Sequence, residues 1–253
     1  MDSVIIRGVA VGEGIPKICV PIVGKTKDEI IKAAEAMKKL PADVVEWRAD
    51  WFKDVFDREA VLDVLKELRN VLGETPLLFT FRTKKEGGEK SISENEYAEL
   101  NLAVAESGLA DLIDVEVFIG GNVVEKLIET IHACGGKIVG SNHDFQKTPE
   151  KEEIIRRLCL MQDLGADIPK IAVMPKNKQD VLTLLAATEE MSRLYADRPI
   201  ITMSMAETGV ISRISGGGFG SALTFGSAGK VSAPGQPEVK ELSKMLEILH
   251  RSL

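Results

Sequence analysis

The feature that most constrains the fold is a regular alternation of short apolar segments with longer amphipathic ones. Eight short segments are rich in apolar and β-branched residues, and they cover residues 17–22, 44–50, 76–82, 111–117, 137–144, 168–175, 199–205 and 222–226. Most are apolar almost throughout rather than at every second position. This pattern is typical of parallel strands that are covered on both faces.

Helical patterns fill the intervals between these segments. Apolar residues recur on one stripe in residues 27–40 and again in residues 57–72. Ser93 followed by Glu96 predicts a capping box at the start of a further helix. A last amphipathic stretch covers residues 237–250. Each predicted strand is therefore followed by a segment that can return along the outside of the sheet.

Eight strands alternating with about eight helices predict a (β/α)8 barrel, and we expect residues 1–253 to form a single catalytic domain of this kind. The length of 253 residues suits such a barrel, which typically needs about 250. An open, doubly wound sheet is the alternative. It is disfavoured because nothing at the first strand–helix turn resembles a dinucleotide site. Residues 4–12 precede the barrel and are predicted to form a short hairpin that closes one end of it.

Composition and charge exclude several classes of protein. A hydrophobic share of 44% is enough for a large core, and the formal net charge of −7 comes without any Lys/Arg cluster. We therefore expect no nucleic acid and no membrane as a partner. Three cysteines at unrelated spacings suit a reducing compartment, and the first twenty residues do not read as a secretory signal. These features predict a cytoplasmic location.

Charged residues alternate within the second predicted strand, at Glu46, Arg48 and Asp50. Residues at this spacing share one face of a strand. Charges facing the helices would lose their hydration without gaining partners, so we expect all three to point into the barrel near its C-terminal mouth. Active sites of such barrels lie at this mouth. That position favours substrate binding over the alternative, a structural ion network.

Lys170 is the strongest candidate for a nucleophile. It lies within the sixth predicted strand, which is otherwise apolar. Loss of hydration lowers the pKa of a buried ammonium and frees the amine to attack a ketone or an aldehyde. The alternative is a lysine that starts its strand and extends its amine to solvent.

His143 and Arg82 stand at the ends of the fifth and third predicted strands. A histidine at a strand end can act as a general acid or base, although a structural hydrogen bond is the alternative. An arginine there can hold an anionic substrate, although a solvated loop charge is the alternative. The three histidines are scattered without the spacing of metal ligands, so we predict no metal.

Polar residues also follow the last two predicted strands. Arg213 comes just after the seventh strand, and residues 232–236 follow the eighth. Together they can grip a carboxylate and hydroxyl groups. The glycine run at 216–220 lacks the spacing of a dinucleotide-binding loop, so we predict no nucleotide.

Taken in order along the chain, these pieces resemble the type I 3-dehydroquinases, the Schiff-base-forming dehydratases of the shikimate pathway. The matching segments are residues 46–48, 79–82, 86–88, 141–145, 170–172, 212–214, 219–221 and 232–236. Any one of them is a weak signal. The whole set in this order is specific, and it spans the chain from the second predicted strand to the eighth.

The resemblance implies dehydration of 3-dehydroquinate to 3-dehydroshikimate, a step of chorismate and aromatic amino acid biosynthesis, by a homodimer without a cofactor. It implies that Lys170 forms the imine, that His143 is the general acid and base, and that Glu86 orients His143. The remaining matches imply substrate contacts, and they are Glu46, Arg48, Arg82, Arg213, Ser232 and Gln236. In the family, the arginine that matches Arg213 meets the substrate carboxylate.

Two rival functions stay open on the sequence. Another imine-forming barrel lyase, such as a class I aldolase, would share the strand-six lysine. It would also need a phosphate-binding site, which the sequence does not show. A barrel that binds an anionic small molecule without catalysis would share the charged mouth. The formation of a covalent imine separates the second rival from both enzymes.

Overall fold

The structure, a computed structural model, describes residues 2–120, 123–229 and 235–252. Its strands are β1 (Val4–Ile6), β2 (Val9–Val11), β3 (Lys17–Ile22), β4 (Val44–Arg48), β5 (Leu77–Thr80), β6 (Leu112–Glu116), β7 (Lys137–Asp144), β8 (Ile168–Val173), β9 (Ile201–Ser204) and β10 (Leu223–Phe225). Its helices are α1 (Lys27–Met37), α2 (Arg58–Leu72), α3 (Glu94–Ser107), α4 (Val123–Ala133), α5 (Lys151–Asp163), α6 (Lys178–Glu190), α7 (Val210–Ser215) and α8 (Val239–Ser252). None of the helices in these three ranges is both long and apolar enough to cross a membrane.

Strands β3 to β10 form a parallel sheet that curls into a nearly closed barrel. Their order is β10-β3-β4-β5-β6-β7-β8-β9, so consecutive strands from β3 to β9 are paired and β10 pairs with β3. At the seam, Ile200 and Ser221 form a parallel bridge, and the Ala222 amide donates to the Ile200 carbonyl over 2.8 Å. The predicted (β/α)8 barrel is confirmed, and the alternative of an open sheet is wrong. The extent of the domain stays a prediction.

The N-terminal hairpin lies where the sequence predicted it. Strands β1 and β2 pair in antiparallel fashion, with Val4 opposite Val11. Ile6 and Val11 are buried and belong to the same apolar cluster as the barrel interior. The hairpin thus covers the end of the barrel at which the parallel strands begin.

Alternate residues of the barrel strands face the helices and form the larger apolar cluster. Trp47 on β4 and Phe79 on β5 are both fully buried there, with ring centroids 5.5 Å apart in an edge-to-face arrangement. Burial of a side chain of this kind stabilises the fold by about 1.5–3 kcal/mol. Helix α3 begins at the predicted capping box, in which the Ser93 hydroxyl accepts from the Glu96 amide.

The residues that face inward change in character along the barrel axis. The first buried inward position of each strand is apolar; these positions are Cys19, Val44, Leu78, Leu112, Val139, Ile168, Ile201 and Leu223. Two residues further along five of these strands, the inward positions are polar; they are Glu46, Thr80, Asp114, Ser141 and Lys170. A strand presents every second residue to the same face. An apolar floor therefore lies beneath a polar layer that is closer to the C-terminal mouth.

Candidate active site

A cavity opens at the C-terminal mouth, directly above the polar layer. It is lined by Glu46, Arg48, Arg82, Glu86, Gly87, His143, Phe145, Lys170, Ala172, Met203, Met205, Arg213, Phe225 and Gln236. Eight of the nine site residues predicted from the sequence are among them. The ninth, Ser232, lies outside the described residues. The structure brings the eight together, and their individual roles stay predictions.

Lys170 lies on β8 opposite Ser141 of β7 and is only 3% exposed. Its amine therefore does not extend to solvent, and that alternative is wrong. Its surroundings are more polar than the sequence suggested, because Nζ lies 3.4 Å from Oδ2 of Asp114 and 4.0 Å from Oε1 of Glu46. On its apolar side, Nζ stands 4.6 Å from the centroid of the Phe225 ring. The amine is enclosed between two carboxylates and an aromatic face.

His143, on the neighbouring strand β7, is held by Glu86. Its ring Nδ1 and its backbone amide both lie 2.9 Å from Oε2 of Glu86. The Asn142 side-chain amide donates to the other oxygen of Glu86 over 3.0 Å. Two consecutive residues of β7 thus fix this carboxyl group. The contact leaves Nε2 as the ring atom of His143 that is available to a substrate.

Burial shifts the pKa values of this pair in opposite directions. It lowers the pKa of His143 well below the usual range, and the positive charges of Arg82 and Lys170 add to the effect. It raises the pKa of Glu86 to about 8, and the charge of Glu116 adds to that shift. Each shift favours the neutral form of its group. The imidazole is therefore neutral near neutral pH, as a base must be.

The turn that carries Glu86 depends on glycine. Residues Lys84–Glu86 form one 3₁₀ turn, and Gly87 follows with a φ of 86°. A Cβ atom on Gly87 would lie 2.3 Å from the Phe145 ring, and one on Gly88 would lie 1.9 Å from the Arg82 carbonyl oxygen. A residue with a Cβ fits neither place. The Glu-Gly-Gly sequence is the local requirement for delivering this carboxyl group to His143.

Arg82 is the centre of a buried ion network. Its Nη1 donates to Glu116 over 2.8 Å and to the Ser141 hydroxyl over 3.0 Å, and its Nη2 donates to Asp114 over 2.7 Å. Burial by itself would lower the pKa of this guanidinium, but Asp114 and Glu116 raise it well above the usual range. The alternative of a solvated loop charge is wrong, because the residue is 3% exposed. Arg82 is tied to the protein on several sides in addition to lining the cavity.

Sequence reasoning missed Asp114 and Glu116, although the signal was present. They lie at alternate positions of the apolar strand β6, and both are buried. This is the same pattern that singled out Glu46 and Arg48. Met203, Met205 and Phe225, which form the apolar wall of the cavity, carried no such signal, because an apolar residue in a strand is expected anywhere in a core.

Asp50 departs from the predicted geometry. Strand β4 ends at Arg48, and Ala49–Trp51 form a 3₁₀ turn, so Asp50 does not continue the alternation of the strand. The carboxylate is nevertheless fully buried and accepts from Nε and Nη2 of Arg48 over 2.8 and 2.9 Å. For Asp50, the observed contacts are those of a structural ion pair that fixes the Arg48 fork.

Arg213 reaches the cavity from α7, the short helix after β9. The Ser212 hydroxyl accepts from the Ser204 amide over 2.9 Å, and the Thr224 hydroxyl donates to the Arg213 carbonyl over 2.9 Å. These bonds tie the helix to the last two strands. Burial lowers the pKa of Arg213 to about 10, and its Nη1 lies 3.4 Å from Sδ of Met203. Nearby, Gln236 lines the cavity from the segment that precedes α8.

Known proteins resemble this chain over almost its whole length. A profile of the type I 3-dehydroquinase family matches residues 18–252. The 3-dehydroquinate dehydratase of Clostridioides difficile is 56% identical over 248 residues, which cover 98% of this chain and 97% of that protein. The 3-dehydroquinate dehydratase of Listeria welshimeri is 57% identical over 251 residues, which cover 99% of each.

Solved structures show the same likeness. The crystal structure of the type I 3-dehydroquinate dehydratase of Clostridium difficile with covalently modified comenic acid has a TM-score of 0.97 and 55% identity, with all of both chains covered. The 3-dehydroquinate dehydratase of Geobacillus kaustophilus has a TM-score of 0.96 and 39% identity, covering 99% of this chain and 97% of that one. The chain therefore belongs to the type I 3-dehydroquinase family and is a hydro-lyase.

Proposed function

We propose that this chain dehydrates 3-dehydroquinate to 3-dehydroshikimate in the shikimate pathway, through an imine between the substrate ketone and Nζ of Lys170. One observation carries the proposal: a buried lysine amine and an imidazole held by a carboxyl group line the same cavity, on the adjacent strands β7 and β8. Family membership supplies the substrate class. The names of the related dehydratases agree with it.

Imine formation activates the substrate. The uncharged amine of Lys170 adds to the carbonyl carbon, the carbonyl oxygen leaves as water, and a C=N bond forms in its place. The protonated imine attracts electrons more strongly than the ketone does. A proton on the adjacent carbon becomes acidic enough for a mild base, because the electron pair left behind moves to nitrogen and gives a neutral enamine.

His143 is the base that the geometry favours. Register places Lys170 opposite Ser141, so His143 lies two residues, about 6.6 Å, closer to the mouth. With Nδ1–H donating to ionised Glu86, Nε2 takes the proton from the carbon. The resulting imidazolium returns a proton to the departing hydroxyl as the enamine electrons form the C=C bond. Hydrolysis of the imine then consumes one water and restores Lys170, so the net change is loss of one water.

The charged wall of the cavity suits an anionic, polyhydroxylated substrate. Arg213 is a buried cation beside Met203, and a substrate carboxylate would gain strongly from its charge in this poorly hydrated setting. We assign the hydroxyl contacts to Glu46, Arg48, Arg82, Gln236 and Ser232. Assembly as a homodimer stays a prediction.

Borohydride trapping tests the imine directly. Borohydride added with 3-dehydroquinate should attach substrate or product mass to Lys170, as located by peptide mass spectrometry. Lys170→Met should abolish the adduct and lower turnover by about 10³-fold or more. The exposed Lys147→Met is the matched control and should trap and turn over like the unaltered chain. Dehydration without any adduct on Lys170 would overturn the proposed mechanism.

The two rival functions lose support in the family comparison, because the chain is a hydro-lyase. The ultraviolet absorbance of the conjugated product separates all three experimentally. A dehydratase produces it from 3-dehydroquinate. A class I aldolase gives carbonyl fragments instead, and a simple binding protein gives neither the absorbance nor a trapped adduct.

A further inference from the structure

The carboxylate of Asp114 is fixed by contacts with three neighbouring segments of the barrel. Its Oδ1 accepts from the Ser141 hydroxyl over 2.6 Å, and its Oδ2 accepts from Nη2 of Arg82 over 2.7 Å and lies 3.4 Å from Nζ of Lys170. The side chain is fully buried at the centre of the polar layer. Both carboxylate oxygens are engaged by β7, by the segment after β5 and by β8, so the group has one orientation.

We infer that Asp114 positions the Lys170 amine for attack and then serves as the counter-ion of the protonated imine. This inference rests on the proposed function. The nitrogen that lies 3.4 Å from the Asp114 oxygen is the atom that becomes the positive centre of the iminium. A carboxylate at hydrogen-bond distance stabilises that positive charge, and it keeps the imine in the protonated form that withdraws electrons.

Asp114 has the charge that this role needs. Burial by itself would raise its pKa, but Arg82 and Lys170 hold the pKa below its usual range. The group is therefore a carboxylate near neutral pH. A protonated acid in the same place would offer the iminium a dipole rather than a full negative charge.

Other groups around the amine are less suited to the role. Charged or titratable side chains that act on Lys170 come from several strands; they are Cys19 on β3, Glu46 on β4, Asp114 on β6 and His143 on β7. Glu46 is more distant, at 4.0 Å, and its nearer oxygen accepts from the Thr80 hydroxyl. His143 is neutral for the reason given above. Asp114 is the nearest carboxylate to the amine.

The test compares Asp114→Asn with Glu116→Gln. Both changes remove one carboxylate partner of Arg82, but the described contacts of Glu116 are with Arg82 and Thr83 rather than with the lysine amine. We expect Asp114→Asn to slow imine formation, followed by rapid quenching into borohydride, by about 10- to 100-fold. Glu116→Gln should slow it much less. Equal losses in both variants would show that Asp114 acts only through Arg82, and would overturn the inference.

A second readout is specific to the counter-ion. Borohydride reduces the protonated imine, so the trapped fraction measures how much of the imine is protonated. In Asp114→Asn this fraction should fall more steeply between about pH 7 and about pH 9 than in the unaltered chain, because the iminium has lost its neighbouring charge. If Glu46→Gln shows this steeper fall while Asp114→Asn does not, the counter-ion is Glu46 and the inference is wrong.

Folding and binding controls keep the result interpretable. Circular dichroism checks that each variant folds, and substrate binding is measured in the Lys170→Met background, where no imine forms. If Asp114→Asn does not fold, Ser141→Ala removes the bond to Oδ1 together with the bond from Nη1 of Arg82, and should slow imine formation by a smaller factor. An unchanged rate in that variant contradicts the inference. Failure to trap Lys170 in the unaltered chain contradicts the imine mechanism of the proposed function itself.

Discussion

Single buried charges decide what the mouth of this barrel can do, because each needs a partner inside the protein. Lys170 has carboxylates at 3.4 and 4.0 Å, whereas His143 has the Glu86 carboxyl group at 2.9 Å. The two residues therefore have different roles in the proposed reaction. The first environment suits a nitrogen that becomes positive during the reaction, and the second suits a ring that must be a neutral base.

The pKa of Glu86 predicts how activity depends on pH. The group ionises at about 8, and only its carboxylate accepts a proton from Nδ1 of His143 and leaves Nε2 basic. We expect kcat/KM to rise with pH and to level off near that value, since the base form of the pair is the active one. Initial rates measured by product absorbance across the pH range test this. Glu86→Gln should lower the plateau and remove the rise near pH 8; an unchanged profile would exclude Glu86 as its source.

Replacing Arg82 by lysine should destabilise the fold, even though the substitution keeps the positive charge. The fork of Arg82 reaches Glu116, Ser141 and Asp114 at the same time, and a lysine has no such planar fork. Arg82→Lys should lower the free energy of unfolding by about 2–4 kcal/mol, because buried carboxylates lose their partners. Urea denaturation of the variant and of the unaltered chain measures this difference in the free energy of unfolding.

The exposed Arg156→Lys is the control, because its pair with Glu153 lies at the surface. It should change the free energy of unfolding by less than about 1 kcal/mol. Equal effects of the two substitutions would mean that the fork of Arg82 is not needed.

At the scale of elements, the turn after β5 couples backbone shape to catalysis. Gly87 and Gly108 both have left-handed backbone conformations, with φ of 86° and 64°. A Cβ on Gly87 would meet the Phe145 ring at 2.3 Å, whereas a Cβ on Gly108 would meet nothing within 4 Å. The two positions therefore share the conformational cost of alanine and differ in the steric clash.

We expect Gly87→Ala to lower kcat/KM by about 10²-fold, because the turn that presents Glu86 must shift. Gly108→Ala should cost only about 1–2 kcal/mol of stability and leave kcat/KM unchanged. Steady-state kinetics and thermal unfolding of both variants measure the two effects. A similar loss of activity in both would show that the left-handed conformation, rather than the contact with Phe145, is what matters.

Strand number and direction were predictable, because β3 to β10 are buried on both faces and read as continuous apolar runs. The ends of the strands were less predictable. Residues 44–50 read as one strand, but the chain turns after Arg48 and carries Asp50 away from the strand face. The gathering of Lys170, His143 and Glu46 followed from strand position alone. The nearest partner of the amine, Asp114, was missed, although its alternation with Glu116 on the apolar strand β6 carried the signal.

At the scale of the whole molecule, the same ionisation that favours catalysis opposes folding. Glu86 has a pKa of about 8 in the folded protein and an ordinary value of 4.5. Between these values the folded state holds a proton that the unfolded state has released. The contribution to stability is therefore fully present below pH 4.5 and is lost as pH rises through about 8.

Glu86→Gln removes this dependence. The variant should gain stability over the unaltered chain on passing from acid to mildly alkaline pH, by on the order of a few kcal/mol. Urea denaturation of both proteins at several pH values measures the difference. The exposed Glu129→Gln on α4 should show no such trend. A constant difference between Glu86→Gln and the unaltered chain at all pH values would contradict the assignment.

Among the described residues, the apolar floor and the hairpin that covers it close the barrel interior at the end away from the cavity. Ile6 and Val11 seal the side away from the cavity, beneath the ring of first inward residues. The water eliminated in the proposed reaction therefore departs by the same entrance that admitted the substrate. Substrate and products pass through this entrance in turn, so a bulky group bound in the mouth would hold back the eliminated water together with the dehydrated product.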